Sequence, residues 1–506
     1  MARLTKTLVA PGIVWVEAPE AGFRLLCGCP GDAVKHLIRH GLIREDGRDG
    51  VGFETGPNAI LLSDLPEQNG MLCNLAEFPV MQMLYRQGRI MPGHPNNDGR
   101  RPLLIGDPDQ LEAQLRYIFL GHYGLADRGD LIAAGVVPAL VDDLMAMKLK
   151  FSFGRIRPTA ELLEAVPLTD QAAALPGGVT LKRTGINQFV VAFGAESVAV
   201  DLRLAPGEVC PPSFTLPRME ITRDAFSIVH LGDGDGWDVD RPCMSSLICF
   251  GGRLYLIDAG PHIARCLAAV GLGVDDIDGL FQTHCHDDHF AGLPDLMCRR
   301  RPLAYFAAPL VRVSTMRKLA ALLGTSEVEA TGHFVTHDLG CDLWNDVEGL
   351  EVMPMISPHP VETTVLLFRT RWLGTYRSYA HFADIVSLGL LAAMVTEEGG
   401  GGISRAFYDK VVETYAIPAD VKKIDIGGGL IHGVAEDFRR DRSRRLLLSH
   451  RAGPLLPGES EIGSAASFGS QDVIIAGSVP GGVVGAAAWG ASGPVTGDAR
   501  QKIGHG

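Results

Sequence analysis

Four side chains that can bind a metal ion lie within six consecutive positions of the sequence Thr-His-Cys-His-Asp-Asp-His-Phe, residues 283–290. Neutral imidazoles and carboxylates are the donors that zinc and other borderline first-row metals prefer. On an extended chain His284 and His286 face the same way, because alternate side chains share a face. Asp288 and His289 follow where the chain turns. One loop can therefore supply two neighbouring metal positions; the alternative is a polar loop that is rich in histidine by chance.

Short apolar segments precede this loop and can position it. We predict one strand over Met244–Phe250 and a second that starts at Arg253 and ends in Asp-Ala-Gly at residues 258–260. A helix is predicted around Ile263–Val270, and a short buried strand, Gly279–Thr283, then enters the metal loop. The chain therefore approaches the loop in the order strand, strand, helix, strand.

The pattern H-x-H-x-D-H of residues 284–289, with these flanking segments, resembles the signature of the metallo-β-lactamase superfamily. The resemblance implies an α/β fold over residues 216–475, a four-layer αβ/βα sandwich of two mixed sheets with helices outside. It also implies that Asp258 orients a metal-binding histidine by accepting its other ring N–H. Residues 233–237, Asp-Gly-Asp-Gly-Trp, look like the loop that borders the active site in this superfamily.

Two further candidates follow in the order that the family uses. His359 comes 70 residues after His289 (359 − 289) and precedes an apolar strand, a spacing similar to that of the family's third ligand. Asp384 ends a segment that looks like the one whose aspartate bridges two metal ions. The alternative is that Asp384 caps a helix over Ile385–Met394. An aspartate here, and not a cysteine, resembles the ribonuclease Z and glyoxalase II types of hydrolase.

The last ligand has two candidates, His432 and His450. His450 ends the apolar segment Arg-Leu-Leu-Leu-Ser-His, which is similar to the family's final motif of a strand followed by Ser/Thr-His. The residues around His432 resemble the ribonuclease Z segment Leu-Ile-His-Glu-Ala-Thr, whose histidine is catalytic. Gly433 stands in place of that segment's Glu, so the orienting carboxylate is either missing or supplied by Glu436. We assign His450 to the metal and His432 to proton transfer or oxyanion contact.

The resemblance implies a site with two divalent metal ions, with zinc expected and manganese or iron as alternatives. One ion would be held by His284, His286 and His359, the other by Asp288, His289 and His450, with Asp384 bridging both. A hydroxide between the ions would attack phosphorus or a carbonyl carbon. Asp288 would also steer that hydroxide, and His432 would protonate the leaving group.

Arginines near the metal motifs indicate a phosphorylated substrate. They form the runs 299–301 and 439–445 and a group at positions 369, 371 and 377. Guanidinium groups beside a pair of dications suit phosphate oxygens, whereas the alternative is that these arginines lie on solvated faces. With 46 Lys+Arg against 59 Asp+Glu, the formal net charge of −13 disfavours binding to long nucleic acid.

We therefore predict hydrolysis of a small phosphodiester, with a cyclic nucleotide as one candidate. One alternative is a glyoxalase II-like thioesterase or an iron-dependent persulfide dioxygenase. Another is a regulatory protein without activity, in which the metal-binding module supports a sensor. The sequence fills every position that the family's ligand set implies, which argues against a module that has lost its activity.

The chain is too long for one domain, and we predict three segments. Residues 1–215 form an α+β domain in which we recognise no catalytic motif, so gating, sensing or oligomerisation, including a homodimer, are the options for its role. The Pro-rich residues 205–213 are the expected linker. The metallohydrolase domain covers residues 216–475, and the Gly/Ala-rich tail 476–506 is expected to be disordered.

No membrane segment is predicted. The longest apolar run, Ile385–Val395, has about half of the ~20 residues that a membrane-spanning helix needs. The N-terminus has no apolar core long enough for a secretory signal, and the ten cysteines lack a disulfide framework. These features predict a cytoplasmic protein with reduced thiols.

Overall fold

The computed structural model describes residues 4–397 and 400–477 of the 506-residue chain. The sequence predicts a disordered tail from residue 476. Residues 478–506 of this tail lie outside the described residues. Residues 202–225 contain no helix or strand and connect an N-terminal region to the predicted sandwich. The boundary near residue 215 stays a prediction.

The N-terminal region combines two larger sheets, two short hairpins and six helices. Its strands are β1 (Thr5–Ala10), β2 (Ile13–Ala18), β3 (Phe23–Cys27), β4 (Glu45–Arg48), β5 (Val51–Glu54), β6 (Ala59–Leu61), β7 (Glu67–Gln68), β8 (Met71–Leu72), β9 (Leu103–Gly106), β10 (Glu164–Pro167), β11 (Ala173–Ala174), β12 (Val179–Gly185), β13 (Gln188–Phe193) and β14 (Glu196–Asp201). Its helices are α1 (Ala33–Arg39), α2 (Glu77–Met81), α3 (Pro108–Tyr123), α4 (Arg128–Ala133), α5 (Pro138–Phe151) and α6 (Thr159–Leu162). A π-helical turn, Gln82–Arg86, continues α2.

The central sheet of this region has the strand order β1-β2-β3-β6-β9-β10 and is antiparallel at one end and parallel at the other. Alternate residues of a strand face opposite sides, so Leu25 packs toward the four-stranded sheet β11–β14 and Leu26 toward the helices. This mixed sheet with its separate antiparallel sheet agrees with the predicted α+β class.

The second region contains two large sheets. The strands are β15 (Phe226–Gly232), β16 (Ser245–Phe250), β17 (Arg253–Ile257), β18 (Gly279–Phe281), β19 (Leu303–Ala307), β20 (Phe334–Asp338), β21 (Asn345–Val347), β22 (Leu350–Ile356), β23 (Thr364–Trp372), β24 (Thr375–Phe382), β25 (Val421–Asp425), β26 (Arg445–Ser449) and β27 (Gln471–Ile475). The helices are α7 (Ile263–Ala269), α8 (Asp287–Phe290), α9 (Leu293–Met297), α10 (Pro309–Leu323), α11 (Glu327–Thr331), α12 (Leu388–Met394), α13 (Arg405–Tyr415) and α14 (Pro457–Ser460).

The two sheets have the orders β20-β19-β18-β17-β16-β15-β27 and β21-β22-β23-β24-β25-β26, and each mixes parallel with antiparallel pairs. Their inner faces share one apolar core, in which Phe281 of the first sheet contacts Phe368 of the second edge to face, with ring centroids 5.1 Å apart. Helices α7 and α10 cover one outer face, and α12 and α13 cover the other. The predicted four-layer αβ/βα sandwich is confirmed.

The N-terminal region packs tightly against this sandwich. Helix α3 lies along α10, and Tyr117 and Ile118 of α3 belong to the same buried apolar cluster as Leu319 and Phe290. Fully burying a large apolar side chain stabilises the folded state by about 1.5–3 kcal/mol. The two regions are therefore held together by a shared core. Within residues 4–397 and 400–477, no helix has the length and hydropathy to cross a bilayer.

Candidate metal centre

Strand ends deliver most of the side chains of the candidate site to one edge of the sandwich. Each of these strands buries apolar residues, and a polar residue stands at the strand end or shortly after it. The residues placed in this way are Asp258 after β17, His284 and His286 after β18, His359 after β22, Asp384 after β24, Asp425 at the end of β25 and His450 after β26. Asp288 and His289 lie in α8, a short helical turn at the end of the metal loop.

Three of these positions have left-handed backbone geometry. Asp258, Asp384 and His450 have φ angles of 59°, 36° and 60°. Such a conformation costs a non-glycine residue roughly 1–2 kcal/mol and is found where the surrounding structure enforces it. The helix after Asp384 begins only at Leu388. Its N-cap is Ser387, whose hydroxyl accepts a hydrogen bond from Leu390 N. The alternative interpretation of Asp384 as a helix N-cap is therefore wrong.

The Asp384 carboxylate faces two groups of side chains, one with each oxygen. Its Oδ2 lies 3.4 Å from His284 Nε2, 3.4 Å from His359 Nε2 and 3.9 Å from His286 Nδ1. His286 Nδ1 and His359 Nε2 are 3.1 Å apart. These three imidazoles form the first group, with their nitrogens turned toward one point.

The second group lies on the other side of the same carboxylate. Asp384 Oδ1 is 3.1 Å from His289 Nε2 and 3.2 Å from His450 Nε2. His450 Nε2 is also 3.0 Å from Asp288 Oδ2. The structure thus brings together all seven residues that the sequence indicated as metal ligands, around one carboxylate. The division into two ion sites stays a prediction, because His284 also lies close to Asp288 and His289, and His450 close to Asp425 and His432.

The hydrogen bonding of the cluster is incomplete in a way that suits metal ions. Asp384 is 1% exposed, and among the described residues neither of its oxygens has a hydrogen-bond donor with suitable geometry. His284 Nε2 is likewise buried without a hydrogen bond. Leaving a buried carboxylate without donors is costly unless a cation compensates it. The donor set of imidazoles and carboxylates fits divalent ions of the zinc type.

The pKa values in the cluster reflect the competition between burial and carboxylate charge. Burial lowers the pKa of His284 to about 4, so this imidazole is neutral and able to donate a lone pair. Burial also acts on His289, but the neighbouring Asp288 and Asp384 carboxylates outweigh it and raise the pKa of His289 to about 10. The same carboxylates thus create a strong demand for positive charge around the second group.

Neighbouring groups fix the orientation of the imidazoles. The Asp258 carboxylate accepts hydrogen bonds from Thr283 N at 2.8 Å, from Thr283 Oγ1 at 2.6 Å and from His289 Nδ1 at 2.9 Å. His359 Nδ1 donates to the carbonyl of Ile431 at 3.1 Å. Because the other ring nitrogen is used in each case, Nε2 is the atom that His289 and His359 each present to the cluster.

The carboxylate that orients His432 is Asp425, a residue that the sequence interpretation missed. His432 Nδ1 lies 3.1 Å from Asp425 Oδ2, and the same carboxylate lies 3.4 Å from His450 Nδ1. Glu436, the predicted alternative, is solvent-exposed and pairs with Arg439. The prediction that this carboxylate is missing or is Glu436 is therefore wrong, because the fold supplies it from the end of the neighbouring strand.

A cavity of about 410 Å³ opens onto the cluster. His286 and His432 line its floor together with the glycine-rich residues 427–431, and Asp235 and Trp237 of the predicted bordering loop form part of its wall. The other half of the lining residues comes from the N-terminal region: Met81, Tyr85, Arg86, Met91, His122, Tyr123, Lys148, Phe151, Ser152 and Phe153. The sequence did not reveal that the N-terminal region contributes to this cavity.

The arginines that the sequence associated with a phosphate-binding rim lie elsewhere. None of the arginines in the runs 299–301 and 439–445, nor Arg369, Arg371 or Arg377, is among the described residues that line the cavity. Arg299 donates to backbone carbonyls, and Arg369 pairs with Glu351 at 2.9 Å. Arg86 is the arginine that lines the cavity.

Parts of the chain are similar to known proteins. A family model described as "Metallo-beta-lactamase superfamily" matches residues 238–324. Ribonuclease Z from Mycolicibacterium gilvum is 40% identical over 63 residues, 12% of this chain and 22% of that protein, so the chain spans about a fifth of the length of this relative. Ribonuclease Z from Mycobacterium sp. strain KMS is 24% identical over 238 residues, 44% of this chain and 82% of that protein. The solved structure of the short form of human tRNase Z is similar over 49% of this chain and 99% of its own, with 20% identity and a TM-score of 0.36.

Proposed function

We propose that this protein, which belongs to the metallo-β-lactamase superfamily, is a metal-dependent hydrolase of a small phosphodiester. The observation that carries the proposal is the Asp384 carboxylate, whose two oxygens each face a separate group of metal-binding side chains. A single carboxylate in this position can hold two divalent ions close enough to share one water molecule. The relatives named ribonuclease Z support a phosphodiester as the bond that is cleaved.

The residues that would hold the ions are those of the two groups. One ion would be bound by His284, His286 and His359, the other by Asp288, His289 and His450, and both by Asp384. When bound, two divalent ions of this kind polarise a phosphoryl oxygen and make a water molecule a stronger nucleophile. Zinc is the metal we expect at these imidazole and carboxylate donors.

His432 would donate a proton to the leaving group. It lines the cavity and its side chain is 19% exposed, whereas the side chains of the seven ligand candidates are at most 6% exposed. Burial lowers the pKa of His432, but the hydrogen-bonded Asp425 carboxylate outweighs burial and raises it. Asp425 thus shifts His432 toward its protonated form, the form that a general acid requires. Asp288, close to His450, would orient the attacking water.

The shape of the entrance supports a small substrate. The ligand candidates lie beneath a cavity whose walls come from both regions of the chain, so a substrate must fit inside that cavity to reach them. A volume of about 410 Å³ lies in the range of about 300–1,000 Å³ that is typical of small-molecule sites. A nucleotide-sized phosphodiester, including a cyclic nucleotide, meets this limit.

The test is metal content by elemental mass spectrometry, measured together with hydrolysis of bis(4-nitrophenyl) phosphate. Wild-type protein purified without chelator is expected to hold about two divalent ions per chain, and Asp384→Ala and His450→Ala are each expected to lower both the metal content and the activity. His333→Ala removes a solvent-exposed histidine outside the cluster and is the matched control.

Two other results would reject the proposal. One iron per chain that His450→Ala leaves in place would favour the persulfide dioxygenase alternative. A full complement of two ions with hydrolysis of thioesters, but not of phosphodiesters, would favour the glyoxalase II-like alternative.

A further inference from the structure

The side of the cavity that the N-terminal region forms is lined by rings. Tyr85 contacts His122 edge to face, with ring centroids 5.6 Å apart, and it faces Phe153 at 6.2 Å. All three residues belong to the N-terminal region and line the cavity that His286 and His432 share. An aromatic wall therefore continues directly from the candidate metal centre.

His122 is a polar group without a partner on this wall. Its side chain is 5% exposed, and among the described residues neither Nδ1 nor Nε2 has a hydrogen-bond partner. Burial lowers its pKa to about 3, so the ring is neutral and offers one donor and one acceptor. Both nitrogens are enclosed although the residue lines the cavity. Buried polar groups are normally hydrogen-bonded, so a small rotation of the imidazole would let a ligand supply the missing partner.

Backbone distortions hold the wall in place. Phe153 follows α5 with a φ of 53°, a left-handed conformation in which glycine is usual and a bulky residue is an outlier. Tyr85 and Arg86 lie in the π-helical turn Gln82–Arg86, and such turns occur frequently at functional sites. Strained backbone conformations persist where the surrounding structure enforces them, and they cluster at sites that bind ligands.

The arrangement is also fixed across the two regions. The Arg86 guanidinium lies 4.1 Å from the ring centroid of Trp237, and it pairs with Glu54 at 2.5 Å. Lys148, next to Phe151 in the cavity wall, is bound by Glu362 of the sandwich. The segments that carry Tyr85 and Phe153 are thus tied to neighbouring elements before a ligand arrives, which lowers the entropy that binding must overcome.

We infer that this wall binds a planar heteroaromatic group of the substrate, placed against Tyr85 and Phe153 with its polar edge hydrogen-bonded to His122. A planar group of the substrate would stack on the aromatic rings. Its nitrogen or oxygen atoms would supply the hydrogen bond that the His122 imidazole lacks. The inference rests on the proposed function for the position of the phosphate, and it identifies the substrate as a nucleotide-like phosphodiester.

The test is isothermal titration calorimetry of the metal-loaded protein with two matched probes. Nucleoside 5′-monophosphates carry a base and a phosphate, whereas ribose 5-phosphate carries the phosphate alone. At least one nucleoside monophosphate is expected to bind about tenfold or more tightly than ribose 5-phosphate, because ring stacking and one buried hydrogen bond add to the phosphate contact. Titration with adenosine and uridine, which lack phosphate, measures the affinity of the aromatic wall alone.

Two variants, Phe153→Gly and His122→Phe, test whether the aromatic wall causes the preference for a base. Phe153→Gly relieves the left-handed backbone, so its melting temperature should not fall, yet the preference for the base should decrease by about tenfold. Leu373→Gly is the matched control, because Leu373 has a φ of 48° in an exposed hairpin turn and does not line the cavity. His122→Phe should retain ribose 5-phosphate binding and lose part of the base preference.

The outcomes separate the inference from the proposed function. Binding of ribose 5-phosphate with no gain from any base, or an unchanged base preference in Phe153→Gly, overturns the inference and leaves the hydrolase proposal intact. Binding of a nucleoside without any contribution from phosphate supports the aromatic wall and rejects the phosphodiester.

Discussion

Loss of the Lys148 ammonium group is expected to affect both stability and metal binding. Lys148 Nζ donates to Glu362 Oε1 at 2.7 Å, to the Tyr123 carbonyl at 2.7 Å and to the Pro360 carbonyl at 2.9 Å. Glu362 Oε2 accepts from Leu125 N at 2.9 Å. Both charged side chains are at most 2% exposed. The pair joins the N-terminal region to the loop that follows the predicted ligand His359.

Lys148→Met leaves a buried carboxylate without its cation, which costs about 3–5 kcal/mol of unfolding free energy. Glu362→Gln leaves a buried ammonium and should cost a similar amount. The double variant contains neither isolated charge. Its loss of unfolding free energy should therefore be smaller than the sum of the two single losses by at least about 2 kcal/mol. Because Pro360 follows His359, we also expect Lys148→Met to retain less metal than the wild type.

Urea unfolding followed by circular dichroism, in metal-free buffer, measures these free energies, and elemental mass spectrometry measures the metal. Arg155→Met is the control, since Arg155 pairs with Glu161 at 2.9 Å on the surface and such a pair contributes about 0–1 kcal/mol. Additivity of the two single substitutions within about 0.5 kcal/mol would refute the reasoning, because independent sites behave in that way.

Three further predictions address the centre itself. Asp425→Asn should reduce kcat by about tenfold to a hundredfold, whereas Glu436→Gln should leave it unchanged; steady-state kinetics with a phosphodiester decides which carboxylate orients His432. Lys318→Met removes the buried cation beside Asp287 and should lower the unfolding free energy by about 3–5 kcal/mol, and a shift of less than about 1 kcal/mol in urea unfolding would contradict this. Chelation should lower the melting temperature reversibly, because a ligand at 1,000 times its Kd contributes about 4 kcal/mol, and an unchanged melting curve would argue against resident ions.

The sequence predicted the cluster well because the chemistry is concentrated in short segments. The loop at residues 283–290 holds four of the seven candidates, and His450 follows an apolar strand that the hydropathy pattern shows. Asp384 follows the polar strand β24 and was found only through the resemblance of its segment. Asp425 was missed for a physical reason. Its strand, β25, carries Lys422 and Lys423, which indicate an exposed segment, yet both lysines are fully buried. Lys423 Nζ is satisfied by the carbonyls of Gly232 and Ser245, partners that only the folded chain supplies.

The cavity wall could not be predicted in the same way. Its N-terminal residues are spread over three separate segments, 81–91, 122–123 and 148–153, and they come together only through the packing of α2, α3 and α5. In sequence, their aromatic and apolar side chains look like ordinary helix core. The arginine runs misled the prediction for the opposite reason. Charge patterns are visible in sequence, but a guanidinium that pairs with a neighbouring carboxylate, as Arg369 does with Glu351, is not free to bind phosphate.

Two buried charge networks explain why the N-terminal region and the metal centre form one functional unit. Lys148 reaches the loop after His359, and Lys318 binds Asp287 at 2.9 Å and Glu77 of α2, next to Asp288. Each network therefore connects a ligand-bearing loop to an N-terminal helix, and breaking either would leave charge buried without a partner. The same helices present the aromatic wall. The groups that would hold the metal ions and the groups that would select the substrate thus keep their relative positions through contacts that neither region can make alone.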